Sequence, residues 1–103
     1  MTDRISAQQF QDSPGTEDWH VSSDDAPADV TYRTGTFAVG LTLVQAIGEL
    51  AEEANHHPDV DLRYGTVTVR LSSHDIGGLS ERDARLAGRI SEAARKLGVP
   101  ASD

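Results

Sequence analysis

EEANHHPDVDLRYGTVTVRLSSHD, residues 52–75, decides the fold, because the hydrophobic period changes inside it. Upstream, Phe37, Leu41, Val44, Ile47, Ala51 and Ala54 recur at spacings of three and four. That is the buried stripe of an amphipathic helix over 37–55, with Thr36 as its N-cap. Pro58 stops the helix, since the residue before a proline is pushed out of helical geometry. His56 is therefore expected on the last turn or just past it, with His57 extended. Downstream, Val60, Leu62 and Tyr64 alternate, and Val67, Val69 and Leu71 alternate again. With Gly65-Thr66 between them, these runs read as a β-hairpin closed by a type II′ turn. Along the second strand Val67, Val69, Leu71 and Ser73 share one face, and Thr68, Arg70, Ser72 and His74 the other. His74 is thus expected at the strand's end, on the open polar face.

Working outward, Ser6-Ala7-Gln8-Gln9 has the form of a capping box opening a short helix. Pro14-Gly15 stops it. Residues 1–29 are the less regular part of what reads as one domain over 1–103. Within them Asp18-Trp19-His20-Val21-Ser22 reads as a short strand. Val30 to Thr34 alternates as its returning partner after the acidic turn Ser23 to Asp29. On the C-terminal side, Ser80-Glu81-Arg82-Asp83 forms a second capping box. The helix it opens carries Leu86, Ala87, Ile90, Ala94 and Leu97 and is closed by Gly98 and Pro100. The expected order is α-β-β-α-β-β-α. This is an α+β fold with a four-stranded antiparallel sheet covered on one face by helices.

Bulk composition narrows the function. Nine basic against seventeen acidic residues leave a net charge of −8, which disfavours nucleic acid and anionic membrane surfaces as partners. The basic run Arg82, Arg85, Arg89, Arg95 and Lys96 is interleaved with acids and reads as a solvated helix face. With no cysteine, disulfides and thiol chemistry are excluded. No apolar run approaches the ~20 residues of a membrane span, and a basic-then-apolar leader is lacking. A cytoplasmic location is expected. At 103 residues and 37% apolar content the core is lean, so association with a second copy would help it.

Chemistry concentrates in the histidines. Glu52, His56-His57-Pro58, Tyr64, His74 and Asp83 form one spaced constellation, and imidazole is the side chain that titrates near neutrality. Glu52 lies four residues before His56, on one helix face, where a carboxylate could orient an imidazole. Asp83 is explained by capping alone, although a helix start facing a cleft could serve both roles. The adjacent His56 and His57 point opposite ways in extended chain, unless the turn at Pro58 brings both to one cleft. Tyr64 fits its strand's apolar stripe and is expected in the core, while His20 reads as structural or surface. Three histidines and a carboxylate are a common zinc ligand set. Yet the chain has no His-x-x-x-His, and neighbouring histidines rarely converge on one ion. Metal-free acid–base catalysis is the favoured alternative.

The segment EEANHHPDVDLRY…VTVRLSSHD…GLSERD resembles the core motif of the pterin-4a-carbinolamine dehydratases, well over residues 30–97 and poorly before them. The resemblance implies dehydration of 4a-hydroxytetrahydrobiopterin, or a related pterin, to the quinonoid dihydropterin, without metal or organic cofactor. It casts His56 and His74 as acid–base catalysts and His57 as a residue that positions substrate. Pro58 and Ser73 would contact the pterin, with Glu52 and Asp83 in support. It also implies homodimers or homotetramers. Some relatives of that family serve instead as interaction or assembly modules, which is the alternative reading. Val60 stands where a large aromatic is common in the family, and Phe37 alone remains of a phenylalanine-rich segment, so substrate preference and oligomer packing are the properties most open to change.

Overall fold

The computed structural model describes residues 3–102. Its elements run α1 (Ala7–Gln11), β1 (Ala28–Arg33), α2 (Phe37–Ala54), β2 (Asp59–Leu62), β3 (Thr66–Leu71), a 3₁₀ turn (His74–Ile76) and α3 (Glu81–Lys96). The class is α+β, but the sheet has three strands, in the order β1-β3-β2, all antiparallel. The expected fourth strand, Asp18 to Ser22, shrinks to a single antiparallel bridge between His20 and Asp29. Tight turns crowd that bridge from both sides. Trp19 N–H donates to the Thr16 carbonyl at 3.0 Å and Ala26 N–H to that of Ser23 at 3.2 Å, while further along β1 Thr31 and Arg33 bond Ser102 and Pro100 instead, at 2.7 and 2.9 Å. Trp19 is instead a core residue, 1% exposed.

Register places Val30 opposite Val69, Tyr32 opposite Val67 and Ala28 opposite Leu71, and all six side chains are buried. The alternate residues face away, with Thr31 and Thr68 joined hydroxyl to hydroxyl at 2.9 Å. The alternation seen in the sequence is therefore the alternation of the sheet's two faces. Helices α2 and α3 cover the buried face together with Phe10, Trp19, Leu79, Leu86 and Ile90. Each such large side chain taken from water contributes roughly 1.5–3 kcal/mol.

Helix α2 has the expected length and is capped by Thr36, whose hydroxyl accepts from Val39 N–H at 3.2 Å. Its buried stripe is rotated from the expected one. Gly40, Leu43, Ile47 and Ala51 face the sheet, while Phe37 and Leu41 remain 48% and 44% exposed. The helix is apolar on two sides, so spacing at three and four admits both solutions, and contact with the sheet selects one. The hairpin differs too. Leu62 pairs with Val67, so the turn is centred on Tyr64-Gly65 rather than Gly65-Thr66. Neither of those residues has a positive φ, which rules out type II′. At the tip, Tyr64 is 74% exposed and is not part of the core.

Residues 4–25 close the structure from outside. The Ser6 capping box forms as expected, with Gln9 N–H on the Ser6 hydroxyl at 3.0 Å and Ser6 N–H on the Gln9 side chain at 2.7 Å. Just before it, Ile5 N–H donates to the Leu79 carbonyl at 2.9 Å, and Arg4 bridges to Ser80 and pairs with Asp25. After α1 the chain crosses α3 where Gly15 and Gly88 touch. A Cβ on Gly15 would sit 2.8 Å from the Gly88 Cα, and one on Gly88 would sit 2.9 Å from the Pro14 carbonyl oxygen.

Candidate active site

The site begins where α2 ends. Asn55 takes the left-handed conformation at φ 50, and His56 N–H reaches back to the Ala51 carbonyl at 3.1 Å. This is a Schellman-type ending, with asparagine in the role glycine usually plays. Asn55 thus terminates the helix three residues before Pro58. The reversal takes His56 off the helical lattice, so the i, i+4 relation to Glu52 no longer applies. His56 turns inward and is 9% exposed, while His57 turns outward. The Glu52 carboxylate accordingly meets His57, at 2.5 Å from its Nε2, rather than His56.

His56 meets α3 instead. Its Nε2 lies 2.6 Å from Asp83 Oδ1, and Asp83 is fully buried. Asp83 Oδ2 accepts from Ser80 N–H at 2.9 Å and from the Ser73 hydroxyl at 2.8 Å. The Ser73 and Ser80 hydroxyls are 2.7 Å apart, and Ser80 also accepts from Arg82 N–H at 3.2 Å. Asp83 therefore caps its helix and holds an imidazole at once, combining the two readings its position allows. A carboxylate only accepts hydrogen bonds, so the His56 proton sits on Nε2 and Nδ1 is left as the basic nitrogen.

Ser73 is also the residue before His74. Ser73 N–H donates to the Gly78 carbonyl at 2.8 Å, closing a loop in which Gly77 adopts φ 66. His74, first residue of the 3₁₀ turn, is exposed. Beside it Asp75 accepts from Arg82 at 2.7 Å, and that hydrogen bond holds the Asp75 carboxyl below its ordinary value. Two ties thus fasten the His74 turn to the start of α3, where Asp83 holds His56.

His57 belongs to a different surface. With Glu52, Pro58 and Val60 it borders an open groove of about 970 Å³ between α2 and β2. His56 lines a smaller cavity of about 230 Å³ against α3. The two neighbouring histidines therefore look into separate spaces. His20 is exposed and contributes its backbone to the bridge with Asp29. Sequence reasoning passed over Ser80 and Arg82. The Ser80 capping box marked the first, but a contact across the chain from Arg82 to Asp75 left no local signal. Among the described residues no three His, Asp or Glu side chains gather as a metal site, and no helix is long and apolar enough to cross a membrane.

Comparison with known proteins identifies the family of the chain. The family model described as Pterin 4 alpha carbinolamine dehydratase matches residues 2–93. A protein of Nocardia farcinica, provisionally named a pterin-4-alpha-carbinolamine dehydratase, is 42% identical over 95 residues, covering 92% of this chain and 95% of its own. A relative from Thermomicrobium roseum with the same provisional name is 37% identical over 94 residues, covering 91% and 96%. The crystal structure of a transcriptional coactivator/pterin dehydratase from Brucella melitensis superposes with a TM-score of 0.76 at 21% identity, over 89% of this chain and 99% of that one, a likeness of fold. The match extends through the N-terminal third, where the motif resemblance was weak. Its carbinolamine-dehydratase motif, its fold and its whole-length relatives together make this chain a member of the pterin 4 alpha carbinolamine dehydratase family.

Proposed function

We propose that the protein dehydrates a 4a-hydroxytetrahydropterin, such as 4a-hydroxytetrahydrobiopterin, to the quinonoid dihydropterin by histidine acid–base catalysis. In this reaction the C4a–O bond breaks and the hydroxyl leaves as water, taking up a proton. The N5 lone pair forms the C4a=N5 double bond and N5 gives up its proton. One group must donate and another accept. His56, with Nε2 tied to Asp83, offers Nδ1 for one transfer, and exposed His74 is the candidate for the other. Positioned groups of this kind contribute about 10²–10⁴-fold. His57 and Pro58 border the neighbouring groove, so they are assigned to the part of the pterin that extends away from the reacting bond, with Glu52 orienting His57, while Ser73, buried against Asp83, holds the His74 turn beside the substrate. The observation that carries this reading is the Asp83 carboxylate, which grips His56 and the residue before His74 at 2.6 and 2.8 Å.

The test is the dehydration rate of freshly generated 4a-hydroxytetrahydropterin, followed by ultraviolet absorbance, for wild type and His74→Ala. Acceleration by wild type that the variant loses while staying folded supports reaction and site together. A folded wild type that gives no acceleration favours the alternative, a non-catalytic assembly module on the same fold.

A homodimer or homotetramer is part of the same proposal. Residues 34–48 carry no charge in a chain of net −8, and Phe37 and Leu41 stand exposed among them. Two like-charged copies repel least across such a patch, and strand β2, which among the described residues pairs only with β3, leaves a sheet edge beside it.

A further inference from the structure

Arg82, Arg85 and Arg89 follow one another along α3 at spacings of three and four, which sets them on one side of the helix. All three line the cavity of about 230 Å³ that also exposes His56, its remaining walls being Ala54 and Leu86. Three carboxylates near it are already engaged. Asp75 pairs with Arg82 at 2.7 Å, Glu53 with Arg89 at 3.1 Å, and Asp83 with His56 at 2.6 Å. Arg85 forms no ion pair among the described residues, so of the three guanidiniums lining this cavity it is the one no carboxylate holds. That charge stands beside the candidate catalytic imidazole in a protein whose overall charge would repel anions.

We propose that this cavity is an oxyanion subsite, built for a phosphate group next to the pterin site. Guanidinium presents paired N–H donors in a plane that matches phosphate oxygens, and Arg82 and Arg89 keep donors to spare beyond their ion pairs. The volume lies below the roughly 300 Å³ at which pockets begin to hold drug-sized ligands, so it suits a small anion, and a pterin that reacts at His56 stands at its mouth rather than inside it. The phosphate has two possible sources, a free ion or an ester on the substrate's side chain. The second rests on the dehydratase reading above, whereas the first does not.

The experiment titrates inorganic phosphate into the full chain at low ionic strength by calorimetry, for wild type, Arg85→Gln and Arg95→Gln. Arg95 lies outside this cavity and serves as control. The expected result is one saturable site whose affinity falls roughly tenfold or more in Arg85→Gln, the loss of a charge-assisted hydrogen bond, and stays unchanged in Arg95→Gln. Absence of phosphate binding by wild type, or equal loss in both variants, overturns the proposal. Turnover then separates the sources. If the phosphate belongs to the substrate, Arg85→Gln raises KM for a phosphorylated 4a-hydroxytetrahydropterin roughly tenfold more than for the unphosphorylated one. If it is a free ion, the two KM values change together. Phosphate binding by a protein that dehydrates neither pterin leaves the subsite standing and removes the dehydratase reading. Dehydration without phosphate binding does the reverse.

Discussion

Replacing Asp83 by asparagine changes one atom of the buried network and inverts its proton logic. The amide oxygen, placed where Oδ2 stands, still accepts from Ser80 N–H and the Ser73 hydroxyl at 2.9 and 2.8 Å. The amide NH₂ then occupies the Oδ1 position, 2.6 Å from His56 Nε2. It can only donate, so the His56 proton must move to Nδ1 and the basic nitrogen now faces the amide. Hydrogen bonds to a charged group are worth about 1 kcal/mol more than neutral ones, and three are downgraded. Removing a buried charge offsets part of that loss. The expected destabilisation is about 1–3 kcal/mol, which a domain with the usual 5–15 kcal/mol survives. Turnover should fall much further, by about 10²–10⁴-fold, because the imidazole is held in the wrong tautomer. Nitrogen-15 spectra of the ring would report the tautomer, a thermal melt the stability, and ultraviolet absorbance the dehydration rate. A folded Asp83→Asn protein working at the wild-type rate would refute the assignment of His56 as a catalyst tuned by Asp83.

Other expectations follow from single contacts. Ser91→Ala should cost about 1–3 kcal/mol in denaturant titration, since the buried Trp19 indole N–H loses the acceptor it holds at 3.0 Å; a negligible change would mean the indole finds another partner. Because Arg82 lowers the folded-state pKa of Asp75, this pair contributes stability that is fully present above the ordinary carboxylate value of about 3.9 and is lost as pH falls through the lowered one. Amide exchange of Ile76 to Gly78 should therefore show no weakening of the turn from neutrality to about pH 5, with loosening only in stronger acid; loosening already near pH 6 would contradict the tie. Leu41→Glu places a charge on the uncharged face of α2 and should convert the proposed wild-type oligomer to monomer in sedimentation. A wild type that already sediments as monomer would refute the association, and an oligomer unchanged by the variant would move the interface elsewhere.

Periodicity reported the elements well wherever one face was plainly buried. The alternation of Val67, Val69 and Leu71 and the stripe of Leu86, Ile90 and Ala94 both became core. It misjudged α2, whose two apolar sides leave the choice of buried face to tertiary contact. It also promoted residues 18–22 to a strand, because alternation says nothing about how many partners a segment has room for. The site was legible as a set of residues but not as a set of pairs. Glu52 and His56 are neighbours only if the helix continues, and the left-handed Asn55 ends it one residue too early. The contact between His56 and Asp83 spans 27 positions, and no local pattern encodes it.

The clasp between Arg4-Ile5 and Leu79-Ser80 joins segments more than seventy positions apart. Ser80 is the residue that caps α3 and supplies Asp83 with its backbone donor. Closing so large a loop is slow compared with forming the hairpin or either long helix. Ser80 and the Asp83 carboxylate it holds should therefore take their final geometry late in folding, after the sheet has formed. Fluctuations that lift residues 4–5 in the native protein would slacken the His74 loop while the core stays closed, which ties the proposed site's integrity to a contact far from its histidines.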